Sequence, residues 1–188
     1  MSNGPEIILL TRHAEKPDPH LGSTGVDRHG RTDPHSLSVR GWQRAGAMAA
    51  LLAHAPQAAH ESIVKPQRII ATGPSKKARS RREVDTATPI AERLGLRVIE
   101  SHSHGQIPAL AAEVLSDPTP ALVVWHHGEI PQVALALGAD PSQVPAAWPD
   151  HRFDLLWVLV RTPAGTGGYD LDIVPQLLLA GDGPATAG

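Results

Sequence analysis

Apolar residues occur along this chain in short continuous runs. Each run is bounded by turn-forming or charged residues, and the four runs are Glu6–Thr11, Arg68–Thr72, Arg97–Glu100 and Ala121–Trp125. Runs without polar alternation are typical of strands that are covered on both faces. The pattern therefore predicts four buried strands.

Helical patterns occupy the segments between these runs. In the segment Ser38–His54 the apolar residues fall on one stripe, and Ser38 is suited to be the N-cap. A second segment, Ser80–Leu94, stops at Gly95, and Pro89 predicts a kink or break inside it. Further helices are expected at Pro108–Leu115 and Pro131–Leu137.

The C-terminal part has a different pattern. Two apolar runs, Phe153–Arg161 and Tyr169–Leu179, flank the glycine-rich connector "TPAGTGG", which favours an antiparallel hairpin at the sheet's edge. Strands that alternate with helices predict an α/β fold, a three-layer α/β/α sandwich with a mostly parallel central sheet. We expect one domain over residues 1–180, a flexible tail at Gly181–Gly188 and a long exposed loop at Pro17–His35.

Composition excludes several classes of function. The chain has 188 residues, 41% hydrophobic and 19% charged, with a formal net charge of -2 and 3% aromatic residues. This is a globular composition without the basic field or the stacking platforms that favour nucleic-acid binding. Cysteine is absent, which excludes disulfides and thiolate chemistry. Because no run resembles a signal peptide or a membrane span, we expect no membrane partner and a cytoplasmic location.

Two of the predicted strands end on histidine. The sequences are "LLTRH", which ends at His13, and "VVWHH", which ends at His127. In an open α/β sheet, ligands gather at the carboxyl ends of strands, so the two sites are expected to be neighbours. Arg12 has a planar fork suited to phosphate, and a neutral His13 has a nucleophilic nitrogen. The same residues would also be compatible with a solvated rim of the sheet.

Four segments in order carry a resemblance to a known family. They read "TRHAEKPD", "LSVRGWQRA", "SRREVDTATPIAERLGL" and "VVWHHGEIP". Together they resemble the histidine phosphatase superfamily, also called phosphoglycerate mutase-like, over about Glu6 to Val160. The resemblance implies that His13 attacks phosphorus to form a phosphohistidine that water hydrolyses, while Arg12 holds the phosphoryl oxygens.

The resemblance also implies a second arginine for phosphoryl binding. The family's "RxxxTA" segment aligns with Arg82, which stands four residues before Thr86. Extra basic residues precede it here, so Arg79 and Arg81 stay open as alternatives, and Arg81 is expected to contribute to substrate binding.

The resemblance further implies a second histidine, which follows the strand that here reads "ALVVW" and donates a hydrogen bond to the phosphoryl group. Both His126 and His127 occupy this place, and the following "GEIP" favours His127 as the catalytic residue and His126 as a substrate-binding one. Glu15 and Lys16, just after His13, are further substrate-binding candidates. Either histidine could instead be a satisfied core residue.

An efficient phosphatase also needs a proton donor for the leaving oxygen. Glu15, Glu100 and Glu129 are candidates because they follow strand ends, and each could equally be a surface carboxylate. Ala14 replaces the glycine that many family members have, and the short chain leaves little room for a lid. Both features favour a small phosphatase over a glycolytic mutase.

Two other functions are compatible with the sequence. Eleven histidines leave open a metal-dependent hydrolase, although no His-Glu-x-x-His motif occurs. A phosphate-binding module with little turnover is the other alternative. The preferred hypothesis is a phosphatase without cofactor or metal, acting on a phosphorylated small molecule or phosphoprotein; the oligomeric state stays open.

Overall fold

The computed structural model describes residues 4–55, 61–75, 78–163 and 168–184. Within these residues the chain forms a six-stranded sheet in the order β5-β4-β6-β1-β7-β8, with a separate two-stranded ribbon, β2-β3. The strands are β1 (Ile7–Arg12), β2 (Gly25–Val26), β3 (Leu37–Ser38), β4 (Arg68–Ala71), β5 (Val98–Ile99), β6 (Ala121–Trp125), β7 (Leu155–Arg161) and β8 (Tyr169–Pro175).

The sheet has one helical layer on each face. The helices are α1 (Val39–Ala53), α2 (Arg82–Leu94), α3 (Ile107–Leu115) and α4 (Ile130–Ala136). Alternate residues of β1 enter opposite cores: Ile8 and Leu10 pack with residues of α3 and α4, whereas Leu9 packs with residues of α1 and α2. Burial on both faces is the physical reason for the unbroken apolar runs. The predicted α/β three-layer fold with a mostly parallel sheet is confirmed.

The C-terminal hairpin is confirmed as well. Strand β7 pairs antiparallel with both β1 and β8, so the hairpin forms one edge of the sheet. Strand β8 ends at Pro175, whereas the apolar pattern predicts a strand to Leu179. Most of the connector, residues 164–167, lies outside the described residues.

The helix boundaries agree with the predicted caps. The Ser38 side chain accepts a hydrogen bond from the Gly41 N–H at 3.0 Å and so caps α1. Gly95 ends α2 in the left-handed region, with φ 68°. The same helix continues through Pro89, so the predicted break does not occur.

The N-terminus of α1 packs closely against the chain that follows His13. The backbone N–H of Ser38 donates to the Glu15 carbonyl at 2.9 Å. A Cβ atom at Gly41 would approach the same carbonyl oxygen to 2.4 Å, so only glycine fits there. This contact fixes the segment after the first strand against a helix.

The segment predicted as a long exposed loop, Pro17–His35, contains some structure of its own. A 3-10 turn covers Pro19–Leu21, and β2 pairs with β3. Strands of two residues are too short to produce a periodic pattern, which is why the sequence does not reveal the ribbon.

The start of the predicted flexible tail makes specific contacts. The Arg44 guanidinium donates to the Asp182 carboxylate at 2.7 and 3.0 Å, and the Asp182 side chain is 4% exposed. Arg152 donates to the carbonyls of Gly183 and Pro184 at 2.9 and 3.1 Å. Residues 181–184 therefore pack against the domain, whereas the rest of the tail lies outside the described residues. None of the helices that the structure describes is long and apolar enough to cross a membrane.

Candidate functional site

The candidate site lies at the carboxyl ends of β1 and β6. These two strands are parallel neighbours, and Arg12 is in register with Trp125. The residues that directly follow the strands, His13 and His126, therefore leave the sheet side by side. The prediction that the two strand-end histidine motifs are neighbours is consistent with this register.

His13 has one ring nitrogen assigned by its surroundings. Its Nδ1 lies 2.7 Å from the Ala14 carbonyl oxygen. Because a carbonyl can only accept, Nδ1 is the protonated nitrogen, and Nε2 of the neutral ring keeps its lone pair. His13 is 5% exposed. Burial, with smaller contributions from the charges of Arg12 and Arg82, lowers the pKa of His13 to about 3. The side chain is a neutral potential nucleophile at physiological pH.

Arg12 is a buried cation held by carbonyl oxygens. Its Nη1 donates to the Asp150 carbonyl at 2.6 Å, and its guanidinium lies 4.1 Å from the centroid of the Phe153 ring. Its Nε is buried and has no hydrogen-bond partner among the described residues. Burial lowers the pKa of Arg12 to about 10, so it stays cationic at neutral pH. Within the described part of the chain no carboxylate forms an ion pair with Arg12, and a buried positive charge of this kind is suited to an incoming anion.

Arg82 is the first residue of α2. Its Nη2 and Nε donate to the carbonyls of Pro34 and Ser36 at 2.6 and 3.1 Å. Its charge acts on the His13 ring, which brings it to the site as the sequence motif implies. The neighbouring Arg81 side chain is exposed and is not among the charges that act on His13. The expected contribution of Arg81 to substrate binding stays a prediction.

The two histidines after β6 have different neighbours. The His127 ring lies 6.2 Å from the His13 ring in an edge arrangement. Its Nε2 is 3.4 Å from an Asp150 carboxylate oxygen, and burial and the Arg12 charge lower its pKa to about 4. The His126 ring instead lies 4.3 Å from the His104 ring. Of the pair, His127 is the one next to His13.

Glu15 and Lys16 have unequal relations to the site. The Glu15 carboxylate accepts from the Arg44 guanidinium at 2.8 to 3.0 Å and from Arg40 at 3.2 Å, so it is committed to a structural ion pair. Lys16 is exposed, and its charge acts on His127. Both line a cavity of about 470 Å³, and Phe153 belongs to the same wall. The cavity therefore adjoins the Arg12–His13 pair.

Of the other two expected proton donors, one is hydrogen-bonded and the other is exposed. The Glu129 carboxylate accepts from the Trp125 indole at 2.8 Å and from the Gly105 N–H at 3.0 Å. Glu100 is exposed. The sequence-based search missed Glu83, which is 2% exposed in the first turn of α2. Its place three residues before Thr86, on the same helix face, is the signal that could have pointed to it.

Two further residues that shape the site were missed. Phe153 packs against both the Arg12 guanidinium and the His13 ring, whose centroid is 5.9 Å from its own. The Thr86 hydroxyl accepts from the Ala14 N–H at 2.9 Å and so ties α2 to the strand end. Phe153 and Thr86 reach the site through contacts with residues that are distant in the sequence, so no local pattern points to them.

A metal site has no geometric basis in the described part of the chain. No group of three or more histidine or carboxylate side chains there is arranged to hold a metal ion. The alternative of a metal-dependent hydrolase is accordingly not favoured.

Comparison with known proteins was made by sequence and by structure. No family model and no curated protein matches the chain. Solved structures do match. Mycobacterial glucosyl-3-phosphoglycerate phosphatase is 17% identical, with 90% of this chain and 97% of that one covered and a TM-score of 0.53. Its complex with inorganic phosphate matches with 19% identity, coverage of 89% and 95%, and a TM-score of 0.53.

Two other structures match over a similar extent. Mycobacterial hydrolase 1 is 20% identical, with 89% of this chain and 96% of that one covered and a TM-score of 0.55. A protein from Nakamurella multipartitia described as a phosphohistidine phosphatase, SixA, is 20% identical, with coverage of 99% and 100% and a TM-score of 0.51.

The chain has the fold of these solved structures, which include a glucosyl-3-phosphoglycerate phosphatase and a phosphohistidine phosphatase. The resemblance drawn from four short segments is thereby confirmed at the level of the fold. Within this fold, His127 lies beside His13, the Arg82 charge acts on the His13 ring, and the Arg81 side chain is exposed.

Proposed function

We propose that this protein is a phosphomonoester hydrolase that works through a phosphohistidine at His13. The observation that carries the proposal is the state of the His13 ring. Nδ1 donates to the Ala14 carbonyl, and Nε2 has a free lone pair in a site with the cationic Arg12. A neutral imidazole next to a buried cation suits attack on a phosphoryl group.

The residues around His13 supply positive charge and hydrogen-bond donors. Phosphoryl transfer spreads negative charge over the equatorial oxygens, so catalysis depends mainly on preorganised groups of this kind. Arg12 and Arg82 are held by carbonyl oxygens, which orient the guanidinium groups without neutralising them. His127, adjacent to His13, is the proposed third phosphoryl contact, and it must bind as a donor.

The proposed chemistry has two steps. In the first, Nε2 of His13 forms a bond to phosphorus, and the bond from phosphorus to the leaving oxygen breaks. In the second, water attacks phosphorus, the N–P bond breaks, and inorganic phosphate leaves. Solved neighbours with the same fold include a glucosyl-3-phosphoglycerate phosphatase in complex with inorganic phosphate, which supports a phosphorylated substrate.

The substrate class is proposed more broadly than for those neighbours. The cavity beside Phe153 has room for a small organic group attached to the phosphate, and Lys16 and Arg40 contribute cations to its wall. A phosphorylated small molecule or a phosphorylated protein side chain is compatible with such an opening.

The test is turnover of p-nitrophenyl phosphate by the purified chain and by the variants His13→Ala and His54→Ala. His54 follows α1 and is not part of the site, so it serves as the control histidine. We expect turnover by wild type and by His54→Ala, and loss of about 10³-fold or more in His13→Ala. An alkaline detergent quench with a ³²P-labelled substrate is expected to trap an acid-labile, alkali-stable phosphoenzyme in wild type and in His54→Ala but not in His13→Ala. Turnover that survives in His13→Ala would contradict the mechanism, and absence of turnover in wild type would favour the phosphate-binding module.

A further inference from the structure

We propose that Glu83 is the proton donor to the leaving oxygen in this reaction, an assignment that rests on the proposed function. Departure of a poor leaving group needs a proton in the transition state. Of the carboxylates expected from sequence, Glu15 and Glu129 are bound by other groups and Glu100 is exposed.

Glu83 is on the face of α2 that contacts the end of β1. Residues three apart on a helix are neighbours on the same face. Thr86, three residues after Glu83, accepts the hydrogen bond from the Ala14 N–H at 2.9 Å. The Glu83 carboxylate is also one of the charges that act on the guanidinium of Arg12, the residue before His13.

The surroundings of Glu83 are unusual for a glutamate. The side chain is 2% exposed, and its carboxylate oxygen Oε2 accepts from the Ser80 hydroxyl at 3.4 Å. Among the described residues, no lysine or arginine nitrogen lies within 4.0 Å of the Glu83 carboxylate oxygens, the distance that defines an ion pair. A glutamate that is buried without an ion-pair partner favours its protonated form.

Charged groups on three elements act on this carboxyl group. Arg12 at the end of β1, Arg82 on α2 and His104 in the loop before α3 favour its ionised form. Burial outweighs them and raises the pKa of Glu83. When a phosphate dianion binds to Arg12 and Arg82, its charge offsets theirs and further favours the protonated acid.

Protons and electrons balance over the two steps of the proposed reaction. Nε2 of His13 forms the N–P bond, and the P–O bond breaks with its electron pair on the leaving oxygen. Glu83 gives its proton to that oxygen, so the product is a neutral alcohol and the glutamate becomes a carboxylate. In the second step the carboxylate takes a proton from the attacking water as the N–P bond breaks. Glu83 is then protonated again, and phosphate is released.

One other carboxylate is a rival. An Asp150 oxygen lies 3.4 Å from Nε2 of His127, and the Asp150 side chain is 90% exposed. Its carboxylate group therefore faces solvent and a His127 ring that is neutral at physiological pH. Asp150→Asn is therefore included in the test as the competing assignment.

The experiment compares leaving groups. Glu83→Gln, Asp150→Asn and the control Glu92→Gln, on the exposed side of the same helix, are assayed with p-nitrophenyl phosphate, phenyl phosphate and glycerol 1-phosphate. p-Nitrophenolate leaves without a proton, whereas the other two leaving groups need one. In Glu83→Gln we expect kcat/KM to fall by about 10²-fold or more for the two poor leaving groups and by less than about 10-fold for p-nitrophenyl phosphate. Glu92→Gln should match wild type with all three.

A pH profile and a second variant separate catalysis from structure. A proton donor is lost as the pH rises through its raised pKa, so a basic limb with phenyl phosphate should be present in wild type and absent in Glu83→Gln. Glu83→Asp, which keeps a carboxyl group, should restore part of the activity with poor leaving groups. Thermal unfolding of each variant reports whether it folds.

Distinct results overturn the inference and the function. If Glu83→Gln loses the same share of kcat/KM with all three substrates, the role of Glu83 is structural. If the loss depends on the leaving group in Asp150→Asn alone, Asp150 is the proton donor. Either result leaves the phosphohistidine mechanism intact if wild type turns over p-nitrophenyl phosphate and His13→Ala does not. Absence of turnover in wild type overturns both.

Discussion

At the scale of single residues, burial decides what His13 and Arg12 can do. An exposed strand-end histidine would be partly protonated near neutral pH, whereas His13, at 5% exposure, stays neutral down to a pKa of about 3. Arg12 remains charged despite its burial, because its ordinary pKa is far above neutrality. A neutral imidazole and a permanent cation thus occupy neighbouring positions.

The buried state of His13 predicts a pH-dependent stability. In the unfolded chain the imidazole binds a proton below about pH 6.5, whereas in the folded chain it stays neutral until about pH 3. Folding is therefore opposed increasingly as the pH falls through this window. Between pH 7 and pH 5 the free energy of unfolding should fall by about 2 kcal/mol more in wild type than in His13→Gln. Urea unfolding at both pH values measures this, and an equal decline in the two proteins would contradict it.

Because Arg12 presents a planar guanidinium group, we expect that lysine cannot replace it. Arg12→Lys keeps the charge and loses the planar donors that reach the Asp150 carbonyl and face the anion site. We expect kcat/KM for p-nitrophenyl phosphate to fall about 10²-fold or more, with unchanged values in the control Arg28→Lys, whose side chain is exposed. Activity within a few fold of wild type would show that charge alone suffices.

At the scale of elements, helix α2 connects the sheet to the site. Its first turn contributes Arg82 and Glu83, and its second contributes Thr86, which satisfies the Ala14 N–H. The helix runs through Pro89 and ends at Gly95. One element therefore supports the nucleophile and supplies a cation.

A pair of threonines on α2 tests this role. Thr86→Val leaves the buried Ala14 N–H without an acceptor, which should cost about 1–3 kcal/mol of stability. It should also lower kcat by shifting His13. Thr88→Val is the matched control, because among the described residues the Thr88 hydroxyl bonds only to the Val84 carbonyl of its own helix. The thermal unfolding temperature and the turnover rate should change in Thr86→Val alone. Equal changes in the two variants would show that the loss comes from helix stability.

At the scale of the whole molecule, the C-terminal segment supports the site from a distance. Arg44 on α1 binds both Asp182 and Glu15, the second residue after His13. Arg152, whose carbonyl oxygen lies 3.5 Å from Arg12 Nη1, also binds Gly183. The last described residues thus connect to both sides of the Arg12–His13 pair.

Removal of one member of this network should be costly. Asp182→Ala leaves the buried Arg44 with one partner fewer and should destabilise the fold by about 3 kcal/mol. The exposed pair of Arg28 and Glu92 supplies the control, and Glu92→Ala should cost less than about 1 kcal/mol.

Although burial alone would raise it, the Arg44 hydrogen bonds lower the pKa of Asp182 to about 2. This contribution is therefore complete above about pH 4 and is lost as the pH falls towards 2. Denaturant unfolding at pH 7 tests the size of the effect, and similar costs for the two variants would contradict it.

Several local features could be predicted from the sequence because local physics specifies them. The unbroken apolar runs at β1 and β6 predict strands buried on both faces, and Ser38 and Gly95 mark helix ends through capping. The two-residue strands β2 and β3 could not be predicted, because so short a segment has no periodicity. Helix α2 tolerates Pro89, which local propensity alone argues against.

What the sequence by itself determined is the layered α/β fold and the strand ends that carry His13 and His127. Both depend on patterns within a few residues of the chain. Such patterns can be recognised without knowing which distant residues pack against them. What only the tertiary structure decided is the protonation of His13, the separation of His127 from His126, and the burial of Glu83 and Asp182. These properties depend on desolvation and on charges brought together from distant parts of the chain, and such quantities have no counterpart in local sequence.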